Sequence, residues 1–169
     1  QYINFINSKF KLNKNRSNIL IDYSFGSASY FILDVNFLRG LDKVNYQSNF
    51  NNINQNSGSN FLNKNSKKKN FSRYDYIIAF DGDADRFLVY KKGYGIVEAE
   101  KVALIFAIYL SKFNKIKSIA STSIVNPGLE NILQSRNIKI YKSKVGDRNV
   151  INLQKKKRSK IGFETSGHF

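Results

Sequence analysis

Two apolar runs flank a short acidic stretch near the middle of the chain: "YDYIIAF" (74–80) and "RFLVYKK" (86–92). Each has strand length, and "GYG" (93–95) turns the chain after the second. Upstream, "NILIDYS" (18–24) reads as a strand and "FGSASYFILDVNFLRG" (25–40) as a turn and a helix stopped at Gly40. "KVNYQSN" (43–49) reads as a second strand, and residues 1–17 as a short helix fading into a polar connector. Downstream, "EAEKVALIFAIYLSKF" (98–113) has helical length and an acidic first turn, which suits the helix dipole. "SIAST" (118–122) and "IKIYKS" (138–143) are strand-like. Between them "NPGLENILQSR" (126–136) predicts a helix, with Asn126 as cap and Pro127 in the first helical position. "VGDRNVINLQ" (145–154) is a loop entering a helix, and "IGFETSGHF" (161–169) a strand running into a Gly-containing loop. Residues 48–72, rich in Asn, Ser and Lys, show almost no apolar pattern and predict a long exposed low-complexity loop. Strands alternating with helices predict the α/β class, in two domains, 1–97 and 98–169.

Composition narrows this picture. With 169 residues, 41% of them hydrophobic, the chain can bury a real core and is not a disordered tail. The longest apolar run, "VALIFAIYL" (102–110), is about half of the roughly 18–20 residues needed to span a bilayer and reads as a core helix. No signal peptide opens the chain, and there is no Cys for disulfides or thiolate sites, so the expectation is a cytoplasmic protein without membrane partners. No Met stands at position 1, which suggests a fragment or processed product. The formal charge of +16 raises the question of an anionic partner. Lys is abundant everywhere alongside Asn, Ile, Phe and Tyr, so compositional drift explains the charge better than a dedicated nucleic-acid surface.

Against that basic background, "FDGDADR" (80–86) places Asp81, Asp83 and Asp85 at i, i+2 and i+4. An extended strand would put them on one face, and a tight loop would aim them at one point. Three carboxylates so close repel unless a cation joins them, and hard oxygen ligands favour Mg²⁺ or Ca²⁺ over softer metals. An EF-hand loop begins similarly but needs Gly next and Glu at position twelve, where this chain has Arg86 and Lys92. Phosphate oxygens commonly complete a magnesium shell, and the adjacent Arg86 is a planar phosphate donor. Metal plus guanidinium at a strand end is equipment for phosphoryl transfer.

Two further loops carry chemistry. In "FETSGHF" (163–169), Glu164 and Ser166 offer acceptor and donor groups suited to sugar hydroxyls. Gly167 permits close backbone approach, and His168 is the only histidine. The same residues would equally make an ordinary polar turn. In "SKVGDRNV" (143–150), Asp147 and Arg148 stand at a helix start. There Asp147 is a cap and Arg148 a surface residue, or Arg148, or Lys144, faces an anionic substrate at the helix N-terminus.

Taken together these stretches resemble the α-D-phosphohexomutase superfamily. "FDGDADR" resembles its metal-binding loop, usually D-G-D-x-D-R, and "GFETSGHF" its sugar-binding loop, G-E-x-S-G-H. "STSIVNPGLENILQSRNIKIYKSKVGDRNV" (121–150) looks like the intervening segment of the branch that acts on glucosamine phosphate, where K-V-G-D-R is typical. The glucose- and mannose-phosphate branch is the second reading. The resemblance implies a fold of four α/β domains, of which this chain would be the second and an incomplete third. No S-H-N-P segment for the catalytic phosphoserine and no R-x-S-G-T-E phosphate loop occurs in it, so the chain alone is expected to be inactive. The implied reaction interconverts glucosamine 6-phosphate and glucosamine 1-phosphate through a phosphoserine and a bisphosphate. The implied partners are a phosphorylated hexosamine and the flanking domains of the same polypeptide. Carried over by position, Asp81, Asp83 and Asp85 would bind Mg²⁺ and Arg86 would steady the phosphoryl group. Glu164 and Ser166 would hold sugar hydroxyls, and His168 would contact substrate and assist by hydrogen bond or proton transfer. Asp147 and Arg148 would line the same cleft. The chain departs from the family pattern at Ala84, at Val125 and at "VEAEK" (97–101).

Overall fold

The computed structural model describes residues 2–9, 17–31, 35, 38, 40–47, 50–66, 71, 73–113 and 115–169. The chain forms two compact units, Gln1–Ile96 and Val97–Phe169.

The first unit opens with α1 (Tyr2–Lys9). Its sheet has the order β2-β1-β3-β4-β5, built from β1 (Ile19–Asp22), β2 (Asp42–Val44), β3 (Tyr76–Phe80), β4 (Phe87–Lys91) and β5 (Gly95–Val97). β1 runs parallel to β2 and β3, while β3 and β4 form an antiparallel hairpin, so the sheet is mixed. Side chains alternate between its faces, as the period of a strand requires. Leu20, Ile77 and Ala79 pack with Leu62 and Tyr74 in one cluster, whereas Ile21 and Tyr23 pack with Ile19 and Phe80 in another.

Within 48–72, of which 48, 49, 67–70 and 72 lie outside the described residues, the chain is not the featureless loop that composition predicts. A 3₁₀ turn (Phe50–Asn52) precedes helix α2 (Gly58–Asn65), which packs on β3 and β4. Its sequence, GSNFLNKN, is rich in poor helix formers, so intrinsic propensity argues against it. Tertiary contact overrides that: Leu62 is 2% exposed against the sheet. The helix expected within 25–40 begins as a short 3₁₀ segment, Ser27–Phe31; residues 32–34, 36, 37 and 39 lie outside the described residues. The expected second strand is shorter, ending where Asn45 takes a left-handed φ of 54°.

The second unit is a parallel sheet of order β7-β6-β8, formed by β6 (Ser118–Thr122), β7 (Lys139–Ser143) and β8 (Ile161–Gly162). Helices α3 (Ala99–Ser111), α4 (Pro127–Gln134) and α5 (Asp147–Lys157) accompany it. β6 is buried along its whole length, as the central strand of a parallel sheet should be. Ile119 packs with Ala103, Ala107, Leu129, Leu133 and Phe163 in one core. α4 starts as its sequence predicts: Asn126 accepts a hydrogen bond from the Gly128 N–H at 2.7 Å, and Pro127 occupies the first turn. The α/β reading holds in both units. No described helix is long and apolar enough to cross a membrane.

Candidate metal and sugar loops

The three aspartates lie in the loop that closes the β3–β4 hairpin, just beyond the pair Phe80 and Phe87. Asp81 is 2% exposed, and both its carboxylate oxygens face Arg86. Oδ2 accepts from Arg86 Nε at 2.6 Å and Oδ1 from the Arg86 backbone N–H at 3.2 Å. The Asp81 N–H donates to the Arg86 carbonyl at 3.2 Å. Ala84, with φ at 63°, donates to the Asp81 carbonyl at 3.2 Å and reverses the chain. That left-handed conformation is one that glycine adopts most readily, and here the small side chain of Ala84 takes it.

This reversal gathers one carboxylate oxygen from each of Asp81, Asp83 and Asp85 within 4.8 Å of one another, Asp81 buried and the other two exposed. Two oxygens on one cation lie at most twice the bond length apart, about 4.2 Å for Mg²⁺ and roughly 5 Å for Ca²⁺. Neighbouring oxygens on an octahedral Mg²⁺ lie only about 2.9 Å apart, so the donor set suits a hard divalent cation once the two exposed carboxylates draw in. The Arg86 Nε also lies 3.8 Å from Asp85 Oδ1. Its pKa is raised above the ordinary arginine value, first by the hydrogen bond to Asp81 and then, against burial, by the charges of Asp81, Asp85 and Asp83. One guanidinium offsets only part of the charge of three carboxylates, each pair repelling by about 3 kcal/mol at 5 Å and an effective dielectric near 20.

The loop is held from behind by residues that the sequence pattern did not single out. Ser27 donates from its N–H to the Gly82 carbonyl at 2.9 Å, and Gly26 packs so closely that a Cβ there would lie 2.2 Å from that oxygen. A signal for this frame was present: Asp22 closes an apolar strand, where a buried charge needs partners.

In the second unit, Glu164, Ser166 and His168 converge. The segment is a tight turn rather than an extended stretch: the Glu164 N–H donates to the His168 carbonyl at 3.0 Å, and Gly167, with φ at 101°, donates back to the Glu164 carbonyl at 3.1 Å. Glu164 is 7% exposed. Its Oε1 accepts from the Gly146 N–H at 2.8 Å, and its Oε2 lies 3.3 Å from Ser166 Oγ and 3.2 Å from His168 Nδ1. Ser166 Oγ and His168 Nδ1 are 2.8 Å apart. The carboxylate therefore does two jobs. One oxygen ties down the loop before α5, and the other collects the hydroxyl and the imidazole.

Asp147 and Arg148 are the first two residues of α5 and are both exposed. The cap itself is Gly146, with φ at 122° and no side-chain bond, so Asp147 is not the cap but an acid in the first turn. Glu164 thus reaches the K-V-G-D-R segment through the Gly146 backbone, a link that spacing could not reveal.

Comparison with known proteins places this geometry in context. Residues 98–169 match the family described as phosphoglucomutase/phosphomannomutase, alpha/beta/alpha domain III. A phosphoglucosamine mutase of Nautilia profundicola is 37% identical over 175 aligned positions, which take in 99% of this chain and 40% of that protein. A phosphoglucomutase/phosphomannomutase family protein from Burkholderia thailandensis superposes with a TM-score of 0.79 at 19% identity, over 99% of this chain and 38% of that one. An Aspergillus fumigatus N-acetylphosphoglucosamine mutase, solved with GlcNAc-6P and magnesium, superposes with a TM-score of 0.71 at 18% identity, over 98% of this chain and 37% of that one. The chain spans about 40% of the length of the curated relatives it matches end to end.

Proposed function

The chain belongs to the α-D-phosphohexomutase superfamily, and from that premise we propose that it forms the metal-holding and sugar-recognising part of a mutase interconverting glucosamine 6-phosphate and glucosamine 1-phosphate. The observation that carries this is the gathering of Asp81, Asp83 and Asp85 at one hairpin tip, in a chain whose second unit holds Glu164, Ser166 and His168 together. Asp81, Asp83 and Asp85 would hold Mg²⁺ through one oxygen each. The bound cation would withdraw charge from a phosphoryl oxygen. Arg86 has its Nε committed to Asp81, so its terminal nitrogens are the ones that would steady the transferring group. Oε1 of Glu164 is taken by Gly146, so Oε2 would accept from sugar hydroxyls, with Ser166 beside it. His168, its Nδ1 turned toward Ser166 and Glu164, would present a fixed ring to the substrate. Arg148 would meet the sugar phosphate from the start of α5, and Asp147 beside it would bind the substrate elsewhere. The phosphoserine and the remaining domains would come from elsewhere in the same polypeptide, in the cytoplasm, and the fragment alone would not turn over.

The test is conversion of glucosamine 6-phosphate to glucosamine 1-phosphate by the intact polypeptide with Mg²⁺. Asp83→Asn is expected to lower turnover by about 10²-fold or more, and chelation to abolish it. Undiminished turnover by the variant would refute the metal role. Turnover confined to glucose or mannose phosphates would move the protein to the second branch, which the description of the matching family equally accommodates.

A further inference from the structure

We infer that Asp22 is a positioning residue for the aspartate loop, acting through Gly58, Asn54 and the Ser24–Phe25 turn; this rests on the metal-site reading above. Asp22 ends β1, is 8% exposed, and shares with Leu20 the sheet face that α2 covers. Its Oδ2 accepts from the N–H of Gly58, the first residue of α2, at 2.8 Å. The local cap, Ser57, makes no capping bond, and its hydroxyl is buried without a partner among the described residues. Asp22 therefore caps α2 from another strand, with its negative charge at the positive end of the helix. Its Oδ1 accepts from the Ser24 N–H and from Asn45 Nδ2, each at 2.9 Å. One carboxylate thus joins segments following β1 and β2 to the start of α2.

The turn it holds is strained. Ser24 and Phe25 have φ of 58° and 55°, and the Gly26 N–H donates to the Tyr23 carbonyl at 2.9 Å. This is a reversed turn that ordinarily takes Asn-Gly. Such a conformation persists only where its surroundings over-determine it. Here Asp22 holds the Ser24 N–H, and the Asn45 carbonyl accepts from the Phe25 N–H at 2.7 Å. Ser24 Oγ donates to Asn54 Oδ1 at 2.8 Å, and the Asn54 N–H returns a bond to the Ser24 carbonyl at 3.2 Å.

The consequence lies at Gly82, between the first two aspartates. The turn delivers Ser27 and Gly26 against its carbonyl. On the side of its Cα, Ile53 and Asn54 leave no room: a Cβ there would be 2.4 Å from Ile53 Cγ2 and 2.8 Å from Asn54 Nδ2. Both jaws of this clamp are segments that Asp22 or Ser24 holds.

The experiment compares Asp22→Asn and Ser24→Ala in the intact polypeptide, with Mn²⁺ alone as the probe. Binding is followed by electron paramagnetic resonance, amide exchange at residues 82–85 without metal, and folding by circular dichroism. Each variant is expected to bind Mn²⁺ about tenfold or more weakly and to exchange faster at 82–85, with its fold intact. Wild-type affinity and wild-type exchange in both folded variants overturn the inference. Should Asp22→Asn fail to fold, Ser24→Ala, which leaves the carboxylate in place, decides by the same two readings. If the wild-type protein takes no Mn²⁺, the metal reading falls, and the exchange rates alone decide whether the clamp exists.

Discussion

Tyr23 follows Asp22 directly and shows how a single group can work against the fold. Its ring is 2% exposed and lies 5.9 Å from that of Phe80, yet its hydroxyl has no hydrogen-bond partner among the described residues. Burial raises its pKa to about 12 from 10.0. Burial disfavours the phenolate, so ionisation takes nothing from the fold below pH 10.0, and stability falls as pH climbs from 10.0 toward about 12. Tyr23→Phe is therefore expected to stabilise the protein by about 1 kcal/mol near neutrality, because an unsatisfied hydroxyl leaves the core. It should also flatten the alkaline fall in stability, and urea melts near neutrality and at about pH 11 would check both. At this scale the chemistry of the candidate site was legible. Asp81, Asp83, Asp85 and Arg86 stand out by type and spacing, whereas Glu164, Ser166 and His168 read equally as a polar turn and stand out only through the family resemblance. The division of labour between the two oxygens of Glu164 was not legible, because Gly146 meets one of them across eighteen residues of chain.

Among the elements, α4 and α2 make an instructive contrast. α4 carries its own start signals, and Asn126→Ala, which removes the bond to the Gly128 N–H, is expected to cost about 1 kcal/mol in a denaturant melt. α2 carries none that work. Its local cap is idle and its composition is that of a linker, so no periodicity marks it. It exists because Asp22 supplies the cap and the sheet supplies a surface for Leu62. Leu62→Ala should accordingly cost about 2–5 kcal/mol, far more than a substitution in a surface loop would, and thermal unfolding separates the two outcomes. The hairpin loop obeys the same logic. Its ends are set by the local pairing of Phe80 with Phe87, whereas Gly82 is placed by distant segments.

At the scale of the whole molecule, the formal charge of +16 demands an account. Several lysines have local employment. Lys155, Lys156 and Lys157 sit in the last turn of α5, where they answer the helix dipole, and Lys157 also lies 4.8 Å from the Tyr141 ring. Lys142 pairs with Glu130, and Lys101 with Glu98 at 3.0 Å. Charge distributed in this way should give weak, strongly salt-dependent attraction to RNA rather than a site. Fluorescence anisotropy is expected to show no sub-micromolar RNA affinity at physiological salt; tight binding there would restore the nucleic-acid reading. The sequence by itself determined the α/β alternation, the hairpin and its acidic tip, and the capped helix α4. Those features arise from neighbours in the chain, through periodicity, caps and spacing. Only the tertiary structure decided that residues 58–65 form a helix, that Ser24 and Phe25 are held in left-handed conformations, and that Asp22 stands behind the aspartate loop. Each of these depends on contacts between segments far apart in the chain, such as Asp22 with Asn45 and with Gly58, and such partners leave no periodic trace in the sequence.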